Sequence, residues 1–286
     1  MYVSVRDCML ASTGVSDPVA ALRELGVNST EVAVGKDATV STFTGEDESF
    51  ELGSDEDLSA LGSVLQENDL SICAFLMGND FSSDEYDQEV DALVTTCQAA
   101  ETLGVPAVRI DLIPRQGDMP EDEFITRCLE ATDRALGACA DVDLGIENHG
   151  GTSNRPEFLD KVFERSSSER LGLTLDTGNF YWFGHPLEMV YELMEKYGPR
   201  INHTHCKNIA YPEDIQNERR EVGYEYGEYV APIYEGDIDH KRVVSILSQA
   251  GYDRSLCVED ESLGHFPDDE RAEVLQKDVD YLKSIV

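Results

Sequence analysis

The chain has 286 residues, 41% of them hydrophobic, with 22 basic residues against 58 acidic ones and a formal net charge of −36. A surface this negative repels nucleic acid and anionic membranes, and no apolar run approaches the roughly 20 residues that a membrane helix needs. The length suits one barrel-sized domain over residues 1–286 and is ample for a large core.

The acidic residues are spread along the whole chain, and there are seven lysines against fifteen arginines. That spread points to adaptation to a very salty cytoplasm, hence a halophilic organism, rather than to an acidic tail. Cys8, Cys73, Cys97, Cys128, Cys139, Cys206 and Cys257 are odd in number and contain no C-x-x-C pair. They read as free thiols in a reducing interior. Met1-Tyr2-Val3-Ser4-Val5 enters strand-like sequence with no signal-peptide pattern, so a cytoplasmic location is expected.

In chain order, Tyr2 to Val5 reads as a strand and Pro18 to Leu25 as a helix. Thr30 to Val34 and Leu58 to Glu67 form the next pair, then Ser71 to Met77 and Gln88 to Leu103. Gly104 closes that helix, with Pro106 just beyond. Ala107 to Leu112 precedes a helix from Glu123 to Cys139, and Leu144 to Asn148 precedes one from Pro156 to Arg165. Gly172 to Asp176, then Leu187 to Tyr197, Ile201 to Cys206, His240 to Ala250 and Ser255 to Glu259 continue the rhythm. A last helix carries Leu275, Val279, Leu282 and Val286 on one seam.

Strict alternation of eight strands and eight helices predicts an α/β fold, the closed (β/α)8 TIM barrel. The competing doubly wound sheet usually carries a glycine-rich phosphate turn, and no G-x-G-x-x-G occurs here. One connection, Asn208 to Asp237, has no helical period. It follows the seventh strand, so in a barrel it lies over the catalytic face. Its tyrosines, Tyr234 among them, and Arg219-Arg220 suit either a surface excursion or a lid with aromatic faces for a sugar and an arginine for an anion.

Each of the last four strands runs straight into an ionisable residue: Glu147, Asp176, His205 and Glu259. Ionised groups are costly to bury unless paired or bound to metal, and barrel strand ends converge on one mouth. Three carboxylates and an imidazole suit one divalent ion, with Mn²⁺ the first choice and Mg²⁺, Co²⁺ or Zn²⁺ the alternatives. One such acid is an ordinary strand end; four in succession are not. His149 shares a strand face with Glu147, and His203 with His205. His149, His185 and His203 read as polar neighbours at best, while His240 and His265 read as surface residues.

The segments E-N-H-G-G, L-D-T-G-N, H-T-H-C-K-N and V-E-D-E, in this order, resemble the xylose-isomerase-like barrel superfamily of sugar isomerases and epimerases. Glu235-Gly236-Asp237-Ile238-Asp239 and Ala250-Gly251-Tyr252 are similar to it as well. The resemblance implies that Glu147, Asp176, His205 and Glu259 bind the metal, and that Glu147 and Glu259 move protons. Asn179 stands where ketohexose 3-epimerases of the superfamily carry a histidine, and Tyr211 where they carry an arginine. Lys207 resembles the lysine of the H-x-K-[DN] pattern found in inosose dehydratase-like members.

The expected function is a metal-dependent sugar or sugar-acid isomerase or epimerase working through an enediolate. The alternative is a dehydratase of the inosose or dehydroshikimate type on the same barrel. An apurinic-site endonuclease fits worse: six histidines are few for the histidine-rich three-metal site that such a resemblance would imply, and a net charge of −36 leaves no basic DNA face. Candidate substrate contacts are His149, Asn179, Lys207, Arg219 and Tyr234. The expected partner is a small sugar-like molecule, with no nucleic acid and no membrane, and homo-oligomer formation stays open.

Overall fold

The computed structural model describes residues 1–45 and 48–286. Eight strands form the barrel: β1 (Tyr2–Arg6), β2 (Ser29–Val34), β3 (Ser71–Met77), β4 (Ala107–Ile110), β5 (Asp143–Glu147), β6 (Leu171–Asp176), β7 (Ile201–Cys206) and β8 (Ser255–Val258). They close in sequence order, β1-β8-β7-β6-β5-β4-β3-β2. The intervening helices are α1 (Pro18–Glu24), α2 (Asp55–Asn68), α3 (Tyr86–Leu103), α4 (Glu121–Gly137), α5 (Pro156–Arg165), α6 (Leu187–Tyr197), α7 (His240–Gln249) and α8 (Asp268–Lys283). The fold is therefore the (β/α)8 TIM barrel.

Local chemistry explains where these helices start and stop. Asp17 caps α1 by accepting from the Val19 amide at 3.1 Å, and Pro18 occupies the first helical position. Ser54 caps α2, whose first turn carries Asp55, Glu56 and Asp57 against the positive end of the helix dipole. Gly104 ends α3 at φ 72°, a left-handed conformation that favours glycine.

The chain divides into two compact units, Met1–Ser29 with Thr174–Val286, and Thr30–Leu173. In the first, β1 pairs in parallel with β8 (Val3↔Leu256, Val5↔Val258), and β8 pairs with β7 (Cys257↔His205). Helix α8 packs on β1, and its Val274, Leu275, Val279 and Leu282 are all buried. Truncating a fully buried leucine such as Leu275 to alanine should cost about 2–5 kcal/mol. Val286 was expected on one seam with Leu275, Val279 and Leu282. It lies beyond the last helical residue, Lys283, and is 49% exposed.

In the second unit, β3 pairs with β4 (Phe75↔Val108) and β4 with β5 (Ala107↔Asp143 through Ile110↔Ile146), all parallel. Helices α3 and α4 pack against each other outside these strands. Phe124 of α4 stacks on Phe158 of α5 with ring centroids 6.5 Å apart.

The stretch Asn208 to Asp237 contains short regular pieces that carry no helical period. Asn208–Ile209 pairs antiparallel with Val230–Ala231, and Tyr226–Tyr229 makes one helical turn. Arg220 anchors it from within. Its guanidinium stacks on Tyr181 and Tyr211, 4.4 Å from each ring, and donates to the carbonyls of Ile215, Tyr181 and His185. Gly184 leaves room for that approach: a Cβ there would lie 2.2 Å from the Arg220 carbonyl oxygen.

Candidate functional site

Parallel barrel strands end at one face, so the last residue of each strand and those just after it form a ring of side chains. In the first unit this places Asp176, His205 and Glu259 together. One donor atom from each lies within 4.8 Å of the others, and all three residues are buried.

Asp176 ends β6, and the turn after it folds back onto it. The Gly178 and Asn179 amides donate to Asp176 Oδ1 at 2.8 and 2.9 Å. These two bonds fix Oδ1 and leave Oδ2 for other partners. Lys207 Nζ sits 2.9 Å from Oδ2, 3.4 Å from Glu259 Oε2 and 2.7 Å from Glu261 Oε1. The lysine stem passes over Gly178, where a Cβ would come within 2.5 Å of Lys207 Cγ. Glycine at 178 is therefore what admits Lys207. Glu259 is also paired with Arg6 at the end of β1, and its Oε2 lies 3.2 Å from His205 Nδ1. Glu261 accepts from the Tyr226 hydroxyl, so the excursion after β7 reaches the cluster through Glu261.

Thr177 Oγ1 locks the neighbouring backbone by donating to the Lys207 carbonyl at 2.8 Å and accepting from the Lys207 amide at 3.0 Å. His240 Nε2 lies 3.3 Å from the same hydroxyl. His240 is thus not a surface residue, as its local sequence suggested: it is 1% exposed at the start of α7. Burial pushes its imidazole down to about 4, so the ring is neutral.

In the second unit, Glu147 ends β5 and is gripped by Arg109 of β4, two residues of opposite charge that are both buried. Arg109 also reaches Asp111 Oδ1 at 3.0 Å and donates to the Met77 carbonyl at 2.9 Å. Asp111 Oδ1 lies 2.9 Å from His149 Nδ1, and its Oδ2 accepts from Arg115 at 2.7 Å. Burial opposes ionisation of Asp111, but the His149 hydrogen bond and Arg109 outweigh it and hold the carboxyl below its usual range. The same Asp111 bond raises the His149 imidazole against its own burial. Asp111, Glu147 and His149 each offer a donor atom within 4.8 Å of the others.

Of the candidate substrate contacts, Lys207 and Asn179 touch Asp176, and His149 joins Asp111. Arg219 lies 2.6 Å from His185 Nδ1 and 5.2 Å from the Phe183 ring centre. Tyr234 gives its backbone amide to Asp278 of α8. Neither contact involves the carboxylate cluster. Arg6, Arg109, Asp111 and Glu261 were not singled out from sequence. The available signal was an arginine or acid at a strand's C-terminal end, beside a ligand-like residue in Glu261's case.

Two buried carboxylates and an imidazole converging on one point form a donor set that fits Mn²⁺, Mg²⁺ or Zn²⁺. Asp176, His205 and Glu259 could hold such an ion, with Lys207 and Arg6 offsetting part of the negative charge. Fold and site together define a (β/α)8 barrel with an acid–imidazole cluster at its strand ends. The family described as Xylose isomerase-like TIM barrel matches residues 19–285, and the chain belongs to it. Inosose dehydratase of Klebsiella pneumoniae subsp. pneumoniae is 25% identical over 260 residues, covering 83% of this chain and 85% of that protein. Inosose dehydratase of Clostridium botulinum is 29% identical over 132 residues, covering 44% of this chain and 43% of that protein. A crystal structure of the IOLI protein with a bound zinc atom shares the fold, with a TM-score of 0.70 and 17% identity over 100% of this chain and 99% of that one.

Proposed function

We propose that this chain is a divalent-metal-dependent dehydratase acting on a cyclic polyhydroxy ketone of the inosose type. The observation that carries the reading is the similarity to an inosose dehydratase along 83% of the chain. It favours dehydration over the isomerase or epimerase chemistry that the sequence motifs alone suggest.

The proposed ligands are Asp176, His205, Glu259 and Glu147. A divalent ion held by these residues would supply Lewis acidity toward a substrate carbonyl and so acidify the neighbouring C–H. Glu147 or Glu259 then takes that proton, a role that needs a carboxylate within hydrogen-bond reach of the carbon-bound hydrogen. Lys207 supplies what a dehydration needs next. Its buried ammonium, held by Asp176, Glu259 and Glu261, can donate to the departing β-hydroxyl so that it leaves as water.

The test is to incubate metal-loaded protein with an inosose in concentrated KCl and follow the product by mass spectrometry. The reading expects a product lighter by one water, formed only with metal and stopped by a chelator. A product of unchanged mass would favour isomerisation or epimerisation on the same site.

A further inference from the structure

The excursion after β7 returns to the strand-end cluster through a contact that the chemistry above leaves unused. Glu261, just past β8, has a half-exposed side chain that binds Lys207 Nζ through Oε1 at 2.7 Å and accepts from the Tyr226 hydroxyl through Oε2. Tyr226 opens the helical turn Tyr226–Tyr229, and that turn is docked on the backbone just after Lys207. The Ala210 amide donates to the Tyr229 carbonyl at 2.8 Å, and Asn208–Ile209 pairs with Val230–Ala231. Glu225, the residue before the turn, has φ 42°, a left-handed conformation that is unfavourable for a residue with a side chain. Such a conformation persists only where the surrounding structure enforces it.

Lys207 has acidic partners of two kinds. Asp176 Oδ2 at 2.9 Å and Glu259 Oε2 at 3.4 Å belong to residues of the proposed ligand set, whereas Glu261 lies outside it. The lysine is 3% exposed, and its stem is confined over Gly178, where a Cβ would lie 2.5 Å from Cγ and 2.9 Å from Cδ. A divalent ion on Asp176 and Glu259 would compete for those carboxylates and repel the ammonium beside it. With Asp176 and Glu259 as its whole support, the ammonium would be left buried without a partner, which is strongly unfavourable. Glu261 relieves this, because it stays with the lysine. The Tyr226 hydroxyl in turn keeps a half-exposed carboxylate from turning into water.

We propose that Glu261 takes over the Lys207 ammonium when a divalent ion occupies Asp176, His205 and Glu259, and that Tyr226 of the excursion fixes Glu261 for that task. Both are positioning residues that act through Lys207. The inference rests on the ligand set and on the role of Lys207 proposed above. It makes the excursion part of the site. Its Tyr226 turn favours binding of the ion and keeps the proton donor of the dehydration beside the cluster.

The test is Mn²⁺ binding to the full-length protein at fixed high KCl, read from the electron paramagnetic resonance signal of free Mn²⁺, so it does not depend on turnover. Glu261→Gln should weaken Mn²⁺ by at least about tenfold while keeping the wild-type far-ultraviolet spectrum. Tyr226→Phe should weaken it less but in the same direction. That variant removes one hydroxyl and no charge, so its loss cannot come from a changed net charge, and it tests the inference even where Glu261→Gln folds poorly. In protein that also carries Lys207→Met there is no ammonium to relocate, so adding either substitution should change the Mn²⁺ affinity by less than about twofold. Wild type that binds no Mn²⁺ would overturn the ligand set and this inference with it. Wild type that binds Mn²⁺ with an affinity shared by both variants would overturn this inference alone. Losses of equal size with and without Lys207→Met would also overturn it, because they would not pass through the lysine.

Discussion

His240 should make the protein acid-sensitive in a defined window. It is 1% exposed, and burial lowers its imidazole from the ordinary 6.5 to about 4. Its ring is held by the Ile238 carbonyl, 3.1 Å from Nδ1, and by Thr177, the residue that locks Lys207. In the unfolded chain His240 takes a proton below about 6.5, whereas the folded protein keeps it neutral until about 4. The unfolded state therefore binds more protons across that window. The stability contributed by the neutral ring is complete above about 6.5 and is lost as pH falls toward about 4. A gap of about 2.5 units corresponds to about 3 kcal/mol, of which about 2 kcal/mol is lost by about pH 5. Urea unfolding at about pH 7.5 and about pH 5, at constant KCl, measures this against His240→Gln, whose amide does not titrate. Wild type should lose about 2 kcal/mol more than the variant between the two pH values. Parallel losses in both proteins would refute the reasoning.

Further outcomes follow from the cluster and the charge. Glu147→Gln and Glu259→Gln should each fold and lower turnover by a factor of about 10² to 10⁴, the usual share of general acid–base catalysis, measured as steady-state rates. Near wild-type turnover in both would place the base elsewhere, with Lys207 and His149 the next candidates. Lys207→Met strands Asp176 and Glu259 without their ammonium, so metal-free protein should lose about 3–5 kcal/mol in urea unfolding, and metal-loaded protein less. Equal losses with and without metal would mean that the lysine and the ion do not share those carboxylates. With a net charge of −36, the melting temperature should rise from low salt to multimolar KCl, and a flat response would remove the halophilic reading.

The barrel was legible because its strands are short β-branched runs and its helices carry capping and closing residues. Asp17-Pro18 and Gly104 mark boundaries that the structure keeps. Strand-end acids were legible because each apolar run stops abruptly at one. Their partners were not. Arg6 meets Glu259 across 253 positions and Arg109 meets Glu147 across 38, so nothing local to either arginine announces the pairing. His240 opens a helix as His240-Lys241-Arg242, a polar run, and only its contacts with Thr177 and Ile238 bury it. The excursion after β7 hid its order because its strands are two residues long and its anchor is one stacked arginine, neither of which has a period.

Metal content tests the central claim most directly. Purified wild-type protein, dialysed against a divalent metal and then against metal-free buffer in high KCl, should retain one tightly held equivalent per chain at the strand-end cluster. Asp176→Asn and His205→Ala should each lose most of it while keeping the wild-type far-ultraviolet spectrum. Full retention of that equivalent in both variants would contradict the account, because it would put the ion somewhere other than the ends of these strands.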